Sequence, residues 1–206
     1  MEIVKKIFVV SALLFHAAVG IAQNGSNMEK AFSGSYNEEY LKNYDKAIAE
    51  LNKVYSNDSY EMNLRLGWLY YLSKNYETSG SYYQKAISQK PEALEPRLGI
   101  VMPLAFLDDG TKLLQQYASI IKLHPQNTIA NYWSGVINYN KKDYKSAQKF
   151  FEKIVELYPF DYDSNNMLAW SLLNQGKSAE AKTFFQAALM VRPSDASALE
   201  GLGKIK

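Results

Sequence analysis

Four of the six prolines in this chain of 206 residues recur at a constant interval. Pro91, Pro125, Pro159 and Pro193 are each separated from the next by 34 residues, without drift. A fixed period of this length is typical of a repeat protein whose unit is two helices joined by a turn. Because proline lacks the N–H group and its ring clashes with the preceding turn, each of the four predicts the end of a unit's second helix.

Counting back from these prolines gives repeats 60–93, 94–127, 128–161 and 162–195, in which equivalent positions carry similar residues. Position eight is small in three repeats (Gly67, Gly135 and Ala169). Position 24 is aromatic in all four (Tyr83, Tyr117, Phe151 and Phe185). Small residues allow two antiparallel helices to approach closely, and a large residue fills the space between repeats. The pattern therefore predicts stacked helical pairs.

This pattern resembles the tetratricopeptide repeat family, whose units have small residues at eight, 20 and 27, a large residue at 24 and proline at 32. The resemblance implies an all-α fold, a right-handed superhelix (solenoid) of helix–turn–helix repeats. The match is best in 128–161 and weakest in 94–127. In the latter, Gly99 lies two places early and Pro103 falls in the first helix, so we expect that helix to be kinked or shortened.

Both ends of the array depart from the full repeat. The run Asn43–Ile48 repeats the pattern of Asp143–Ala147, which predicts a divergent repeat within 23–59 whose helices cover about 28–40 and 44–55. Residues 196–206 restart the pattern and then stop, which predicts a partial capping helix. Stacked repeats need a polar terminal cap, and this one is short. Either it is frayed but adequate, or a partner or a second copy docks weakly at this end.

The first 22 residues have the layout of a secretory signal peptide. Lys5 and Lys6 precede an apolar run from Ile7 to Ala22, which closes on small residues. At 16 residues the run is short for the ~30 Å hydrocarbon core of a membrane, although an uncleaved anchor is the alternative. We therefore expect an exported, periplasmic or envelope-associated protein that meets the membrane only through the cleaved signal or a partner.

Charge and residue content argue against several functions. A net charge of +2, with no basic stripe, gives no basis for binding nucleic acid. After residue 22 the chain has one histidine, His124, and it has no cysteine, so we expect no metal site and no cofactor. The aspartate pairs Asp108/Asp109 and Asp161/Asp163 could serve as catalytic acids, but turns favour aspartate for local hydrogen bonding. We expect no enzymatic activity.

What remains for function is the surface. In the family, the inner wall of the superhelix is lined by the first helix of each repeat at positions two, five, nine, twelve and thirteen. The candidate partner-binding residues carried over in this way are Trp68, Tyr71, Phe106, Tyr132, Tyr139, Asn140, Asn166, Trp170 and Asn174. The same wall holds Leu64, Leu98 and Met102, with Phe32, Tyr36, Glu39 and Tyr40 in the divergent first repeat. These aromatics either pack between repeats or remain exposed as recognition residues.

The resemblance implies an adaptor or scaffold that binds a peptide or helix of another protein, such as an envelope component, in a concave groove. Some family members bind a C-terminal carboxylate through Lys and Asn at positions five and nine. Here those positions hold pairs such as Leu64 and Trp68, so that mode is not expected. The alternative is a carbohydrate- or peptidoglycan-binding module in which Trp68, Tyr132 and Trp170 act as stacking platforms.

Overall fold

The computed structural model describes residues 27–205, and all the regular structure in that range is helical. The helices are α1 (27–40), α2 (Tyr44–Asn52), α3 (Tyr60–Leu72), α4 (Tyr76–Gln89), α5 (Leu94–Phe106), α6 (Gly110–Leu123), α7 (Thr128–Asn140), α8 (Tyr144–Leu157), α9 (Tyr162–Leu173), α10 (Ser178–Val191) and α11 (Ala196–Gly203). Within this range, no helix combines the length and apolar character that a membrane span needs. The predicted signal peptide, residues 1–22, lies outside the described residues.

The helices repeat with the interval of the prolines. First helices α3, α5, α7 and α9 begin at 60, 94, 128 and 162, which are the counted starts of the repeats. The turn inside each repeat holds one residue at positive φ, namely Lys42, Lys74, Asp108, Lys142 and Gly176. In each of these turns the next residue donates its N–H five residues back, as when Asn75 N bonds Tyr70 O at 2.8 Å. Glycine adopts this backbone without cost, but only Gly176 among these five turn residues is a glycine. The other four turns form in the same way with lysine or aspartate in the left-handed region.

Helix caps recur at the same interval. Ser59, Asn127, Asp161 and Asp195 each accept a hydrogen bond from the backbone N–H three residues later, as do Asn75, Asp109 and Asp143 before second helices. Such a side chain satisfies one of the unpaired N–H groups at a helix start. Asp109 and Asp161, two of the candidate catalytic acids, are thus capping residues.

In α3, α5, α7 and α9 a polar side chain at position four bonds to a backbone carbonyl of the preceding loop. Asn131 and Asn165 donate to the carbonyl oxygens of Pro125 and Pro159, at 2.9 and 3.0 Å. Arg97 donates to Pro91 O at 2.9 Å. Asn63 similarly reaches Asn57 O, six residues back. Each of these three prolines therefore follows the end of one helix and accepts a hydrogen bond from the next.

The sequence predicts that α5 is kinked or shortened at Pro103; the helix is not shortened, and the kink stays a prediction. Helix α5 covers 13 residues, as do α3 and α7, and it continues past the proline to Phe106. Pro103 is buried, and its ring packing contributes to stability although the helix loses one hydrogen bond to Gly99. The register of the repeat is unaffected, since Asp108 still occupies the positive-φ position of the turn.

Gly99 is not a displaced position-eight residue. The aromatic ring of the preceding repeat packs directly against it. A Cβ added at Gly99 would lie 2.3 Å from Tyr83 Cε1, and one added at Gly67 would lie 3.0 Å from the same ring. Tyr83 is 3% exposed between them. Gly201, near the C-terminal end, packs against Phe185 in the same way, since a Cβ added there would lie 2.1 Å from Phe185 Cζ. Glycine is needed at both positions because the ring occupies the space of a side chain.

The described chain forms two compact halves, which meet in sequence between Pro103 and Leu104. The N-terminal half (27–103) has a core around Leu51, Leu66 and Leu69, all at 0% exposure. The C-terminal half (104–205) has a core around Phe151 and Phe185. Helix α11 caps it: Ala198 is buried in that core and Gly201 lies under Phe185. The predicted weak self-association at this end stays a prediction.

Candidate partner-binding groove

The N-terminal half contains a cavity of about 1080 Å³ on the face formed by the first helices of its repeats. Side chains of α1, α3 and α5 line it, with one tyrosine from α4. The lining residues are Phe32, Tyr36, Glu39, Tyr40, Tyr60, Glu61, Leu64, Arg65, Trp68, Tyr83, Glu95, Leu98, Gly99 and Met102. Aromatic and apolar residues predominate, and three carboxylates lie among them.

Helical spacing explains why these residues share a wall. On α5, Glu95, Leu98 and Met102 follow one another at intervals of three and four residues, so they lie along one face. Leu64 and Trp68 on α3 do so at an interval of four. The ring of Tyr83 reaches the cavity because Gly99 has no side chain to separate them. The repeat pattern thus aligns three helical faces around one space.

Arg65 organises the wall between α1 and α3. Its guanidinium forms an ion pair with Glu39, bonds Ser35 Oγ at 3.3 Å and lies 3.8 Å from the centre of the Tyr36 ring. The side chain is only 7% exposed. The other oxygen of Glu39 accepts a 2.7 Å bond from Trp68 Nε1. Hydrogen bonds therefore join Arg65, Glu39, Ser35 and Trp68, which lowers the cost of burying the charged pair, although Arg65 Nε is buried with no partner among the described residues.

A second charged cluster lies at the start of α3. Lys90 Nζ is 3.3 Å from Glu61 Oε1 and 3.9 Å from the centre of the Tyr60 ring. Hydrogen bonding to its own backbone, and then the contact with Lys90, lowers the pKa of Glu61. Tyr60 donates its hydroxyl to Glu95 Oε2 at 3.3 Å. Burial and then the charge of Glu95 raise the pKa of both Tyr60 and Tyr83.

Of the predicted site residues, Trp68 lines this cavity, and the Tyr71 ring stacks on the Trp68 ring with their centres 5.7 Å apart. Tyr71 also contacts Tyr76 at 5.9 Å between ring centres. The predicted wall residues Phe32, Tyr36, Glu39, Tyr40, Leu64, Leu98 and Met102 line the cavity as well. The first helices of the N-terminal half therefore do bring the wall positions together.

In the C-terminal half the predicted residues are more engaged with one another. Tyr132 packs edge-on against Phe151, and it lines a smaller cavity of about 390 Å³ together with the half-exposed Trp133. Asn174 donates to the Tyr139 hydroxyl at 3.1 Å. Asn140 and Phe106 are exposed, Phe106 by 61%.

Ser197 on α11 holds two more of the predicted residues. Asn166 Nδ2 and Trp170 Nε1 donate to its hydroxyl at 3.0 and 2.9 Å. The Trp170 ring packs edge-on against Phe185, and Lys204 Nζ lies 4.9 Å from its centre. These two side chains therefore hold the capping helix in place.

Sequence reasoning named Glu39 but missed the other three charged residues of the cavity, Glu61, Arg65 and Glu95. Glu61 and Glu95 stand at position two, which is an inner-wall position in the family, but the prediction favoured aromatic and amide side chains. Arg65 stands at position six, outside the wall positions that were carried over. The signal available for all three was their placement on the same helical face as Leu64 and Leu98.

Comparison with known proteins agrees with this architecture. Family models described as tetratricopeptide repeat match residues 36–93, 114–162 and 150–183. A 92-residue segment, 44% of this chain, is 33% identical to the RNA polymerase-associated protein CTR9 of Caenorhabditis elegans. That segment spans only 8% of the length of CTR9.

Solved structures of low sequence identity share the fold. The MamA protein matches with a TM-score of 0.72 at 17% identity, covering 84% of this chain and 95% of MamA. A tetratricopeptide repeat protein from Parabacteroides merdae gives 0.73 at 18% identity, covering 87% and 72%. YrrB, described as a tetratricopeptide repeat protein with an unusual peptide-binding site, gives 0.71 at 16% identity, covering 89% and 95%. The predicted all-α fold of repeat solenoids is confirmed, and the chain belongs to the tetratricopeptide repeat family.

Proposed function

We propose that this protein is an exported scaffold whose N-terminal half binds a peptide or helix of a partner protein in the cavity between α1, α3 and α5. The tetratricopeptide repeat fold is a protein–protein interaction scaffold, and our proposal places the binding in this cavity. The observation that carries it is an aromatic concavity of about 1080 Å³ whose side chains are already held in position. Its size exceeds the usual range for small-ligand pockets, roughly 300–1,000 Å³, and suits several side chains of a peptide.

Pre-organisation supports binding in this cavity. Trp68 is fixed by Glu39 on one side and by the Tyr71 ring on another, and Arg65 fixes Tyr36. Immobilising a side chain on binding costs about 0.5–1.5 kcal/mol, and these side chains are restrained before a partner arrives. Tyr36 and Tyr40 remain 56% and 88% exposed, so their rings have area left for a partner to cover.

The proposal of export rests on residues 1–22, with their paired lysines, apolar run and small-residue end. We propose that the partner is a periplasmic or envelope component and that the chain contacts the membrane only through the signal or through this partner. Intact mass of the protein isolated from its own cells tests the export step. A chain beginning at Gln23 is expected, and a chain retaining Met1–Ala22 contradicts cleavage.

A photoreactive phenylalanine analogue at Met102, on the cavity wall, tests the binding site directly. We expect it to cross-link one partner in the cells that make the protein, whereas the same analogue at Gln84, on the exposed face of α4, should not. The cross-link should be lost with Trp68→Ala and retained with the matched variant Trp133→Ala in the other half. Equal labelling from Met102 and Gln84 would show that the cavity is not the binding site.

The glycan-binding alternative receives no support from the site. It requires Trp68, Tyr132 and Trp170 to present ring faces as platforms. Trp68 is covered on one face by Tyr71, Tyr132 packs edge-on against Phe151, and Trp170 is held by Ser197 and Phe185. These rings serve packing as much as recognition, and only Trp68 lies in the large cavity.

A further inference from the structure

The cavity of the N-terminal half has a charge pattern that specifies its occupant. We propose that the bound segment is basic and that one of its Lys or Arg side chains pairs with Glu95. This inference rests on the proposed function, because it states the chemistry of the segment that the same cavity takes.

Two of the three carboxylates of the cavity already have a cation and an aromatic ring beside them. Glu39 has Arg65, which also covers the Tyr36 ring at 3.8 Å. Glu61 has Lys90, which also covers the Tyr60 ring at 3.9 Å. In both cases the positive charge is held by a carboxylate and by the negative face of a ring, an arrangement worth more than the ion pair alone.

Glu95 has the ring but not the cation. Its Oε2 accepts the Tyr60 hydroxyl at 3.3 Å, and no Lys or Arg among residues 27–205 forms an ion pair with it. The nearest cation in sequence, Arg97, directs Nε and Nη2 to Pro91 O instead. Within the described part of the chain, Glu95 is therefore an exposed carboxylate that forms no ion pair.

The charges around the cavity are net negative. Arg65 pairs with Glu39, and Lys90, which lies outside the lining, pairs with Glu61, so Glu95 is the carboxylate in excess. A neutral or acidic segment would desolvate Glu95 without replacing its water, which carries a penalty. A Lys or Arg side chain would replace that water with an ion pair, while its aliphatic stem covers Leu98 and the aromatic walls.

The experiment selects random twelve-residue peptides, displayed on phage, for binding to the full chain. The tightest are synthesised with and without each Lys or Arg replaced by Gln, and affinities are measured for wild type, Glu95→Gln, Glu77→Gln and Trp68→Ala. The amide oxygen that Glu95→Gln introduces can still accept the Tyr60 hydroxyl, so packing is retained. Glu77 on α4 is exposed and outside the cavity, so its variant controls for the change in net charge.

We expect the selected peptides to be rich in Lys or Arg, and one of these to lose about tenfold in affinity on replacement by Gln. Glu95→Gln should cost the parent peptide about the same factor, and the two changes together should cost little more than either alone. Glu77→Gln should bind within about twofold of wild type, since an exposed distant charge is screened by salt.

The other outcomes separate this inference from the function on which it rests. Peptides that need Trp68 for binding, yet bind equally well without Lys or Arg or to Glu95→Gln, overturn the basic segment and leave the cavity as a peptide site. If no selected peptide loses affinity on Trp68→Ala, the proposed function and the basic segment are both wrong.

Discussion

Replacing Gly99 by alanine should destabilise this protein, although alanine is the better helix former. Alanine gains about 1 kcal/mol over glycine inside a helix. At this position, however, its Cβ would lie 2.3 Å from Tyr83 Cε1 and 2.6 Å from Cζ. The ring cannot retreat, because it is 3% exposed and Gly67 approaches it from the other side. Overpacking a core in this way costs roughly 1–3 kcal/mol.

Gly80 provides the matched comparison. It lies within α4 of the same half, and a Cβ added there would have no atom within 4 Å. Gly80→Ala should therefore raise the free energy of unfolding by about 1 kcal/mol. Both variants gain the same helix propensity. The free energy of unfolding of Gly99→Ala should therefore be lower than that of Gly80→Ala by the overpacking cost alone, roughly 1–3 kcal/mol.

Urea denaturation followed by far-ultraviolet circular dichroism measures this difference. A second test adds Tyr83→Leu to Gly99→Ala: the shorter side chain leaves room for the Cβ, so the double variant should be more stable than the sum of the single effects. If Gly99→Ala proves as stable as Gly80→Ala, the seating of Tyr83 on Gly99 is refuted, and with it the account of why this repeat has its glycine at position six.

Three further perturbations test other parts of the fold by the same denaturation assay. Asn165→Ala should cost about 1–3 kcal/mol, because it removes the bonds to the Pro159 and Asp161 carbonyls from a side chain that is 1% exposed, whereas Asn140→Ala on the surface should change little. Pro103→Ala should raise the free energy of unfolding by about 1 kcal/mol. A proline inside a helix costs roughly 3 kcal/mol, which exceeds the burial lost with two methylene groups at about 0.8 kcal/mol each. The hydrogen bond from Tyr162, and next that from the Ala198 N–H, lowers the pKa of Asp195 in the folded protein. Asp195 therefore contributes to folding stability above its unfolded-state pKa, and this contribution is lost as the pH falls through its folded-state pKa. Asp195→Asn should therefore weaken the acid dependence of stability below about pH 4, and an unchanged profile would contradict the role of this carboxylate.

Most of the fold could be predicted from the sequence because it depends on periodicity. The prolines ended the second helices, the aromatic residues at position 24 filled the cores, and the interval placed the turns. What periodicity could not show was which contact a deviation serves. Gly99 looked misplaced because its partner Tyr83 belongs to the preceding repeat, and the asparagines at position four looked like ordinary polar residues until their bonds to proline carbonyls were seen.

The site was less predictable than the fold because its chemistry comes from residues that break the repeat. Position two is Glu in repeats 60–93 and 94–127 but Ile129, Asp163 and Ser197 farther along, and position six is Arg65 in one repeat and Gly99 in the next. A residue that every repeat shares must serve what every repeat does, which is to stack on its neighbour. A residue that few repeats hold can serve a local contact, as Gly99 does under Tyr83, or it can serve recognition. Arg65 and Glu95 are such residues, and both line the cavity of about 1080 Å³ in residues 27–103. In a repeat protein of this kind, recognition is therefore to be sought first among the exceptions that share a helical face.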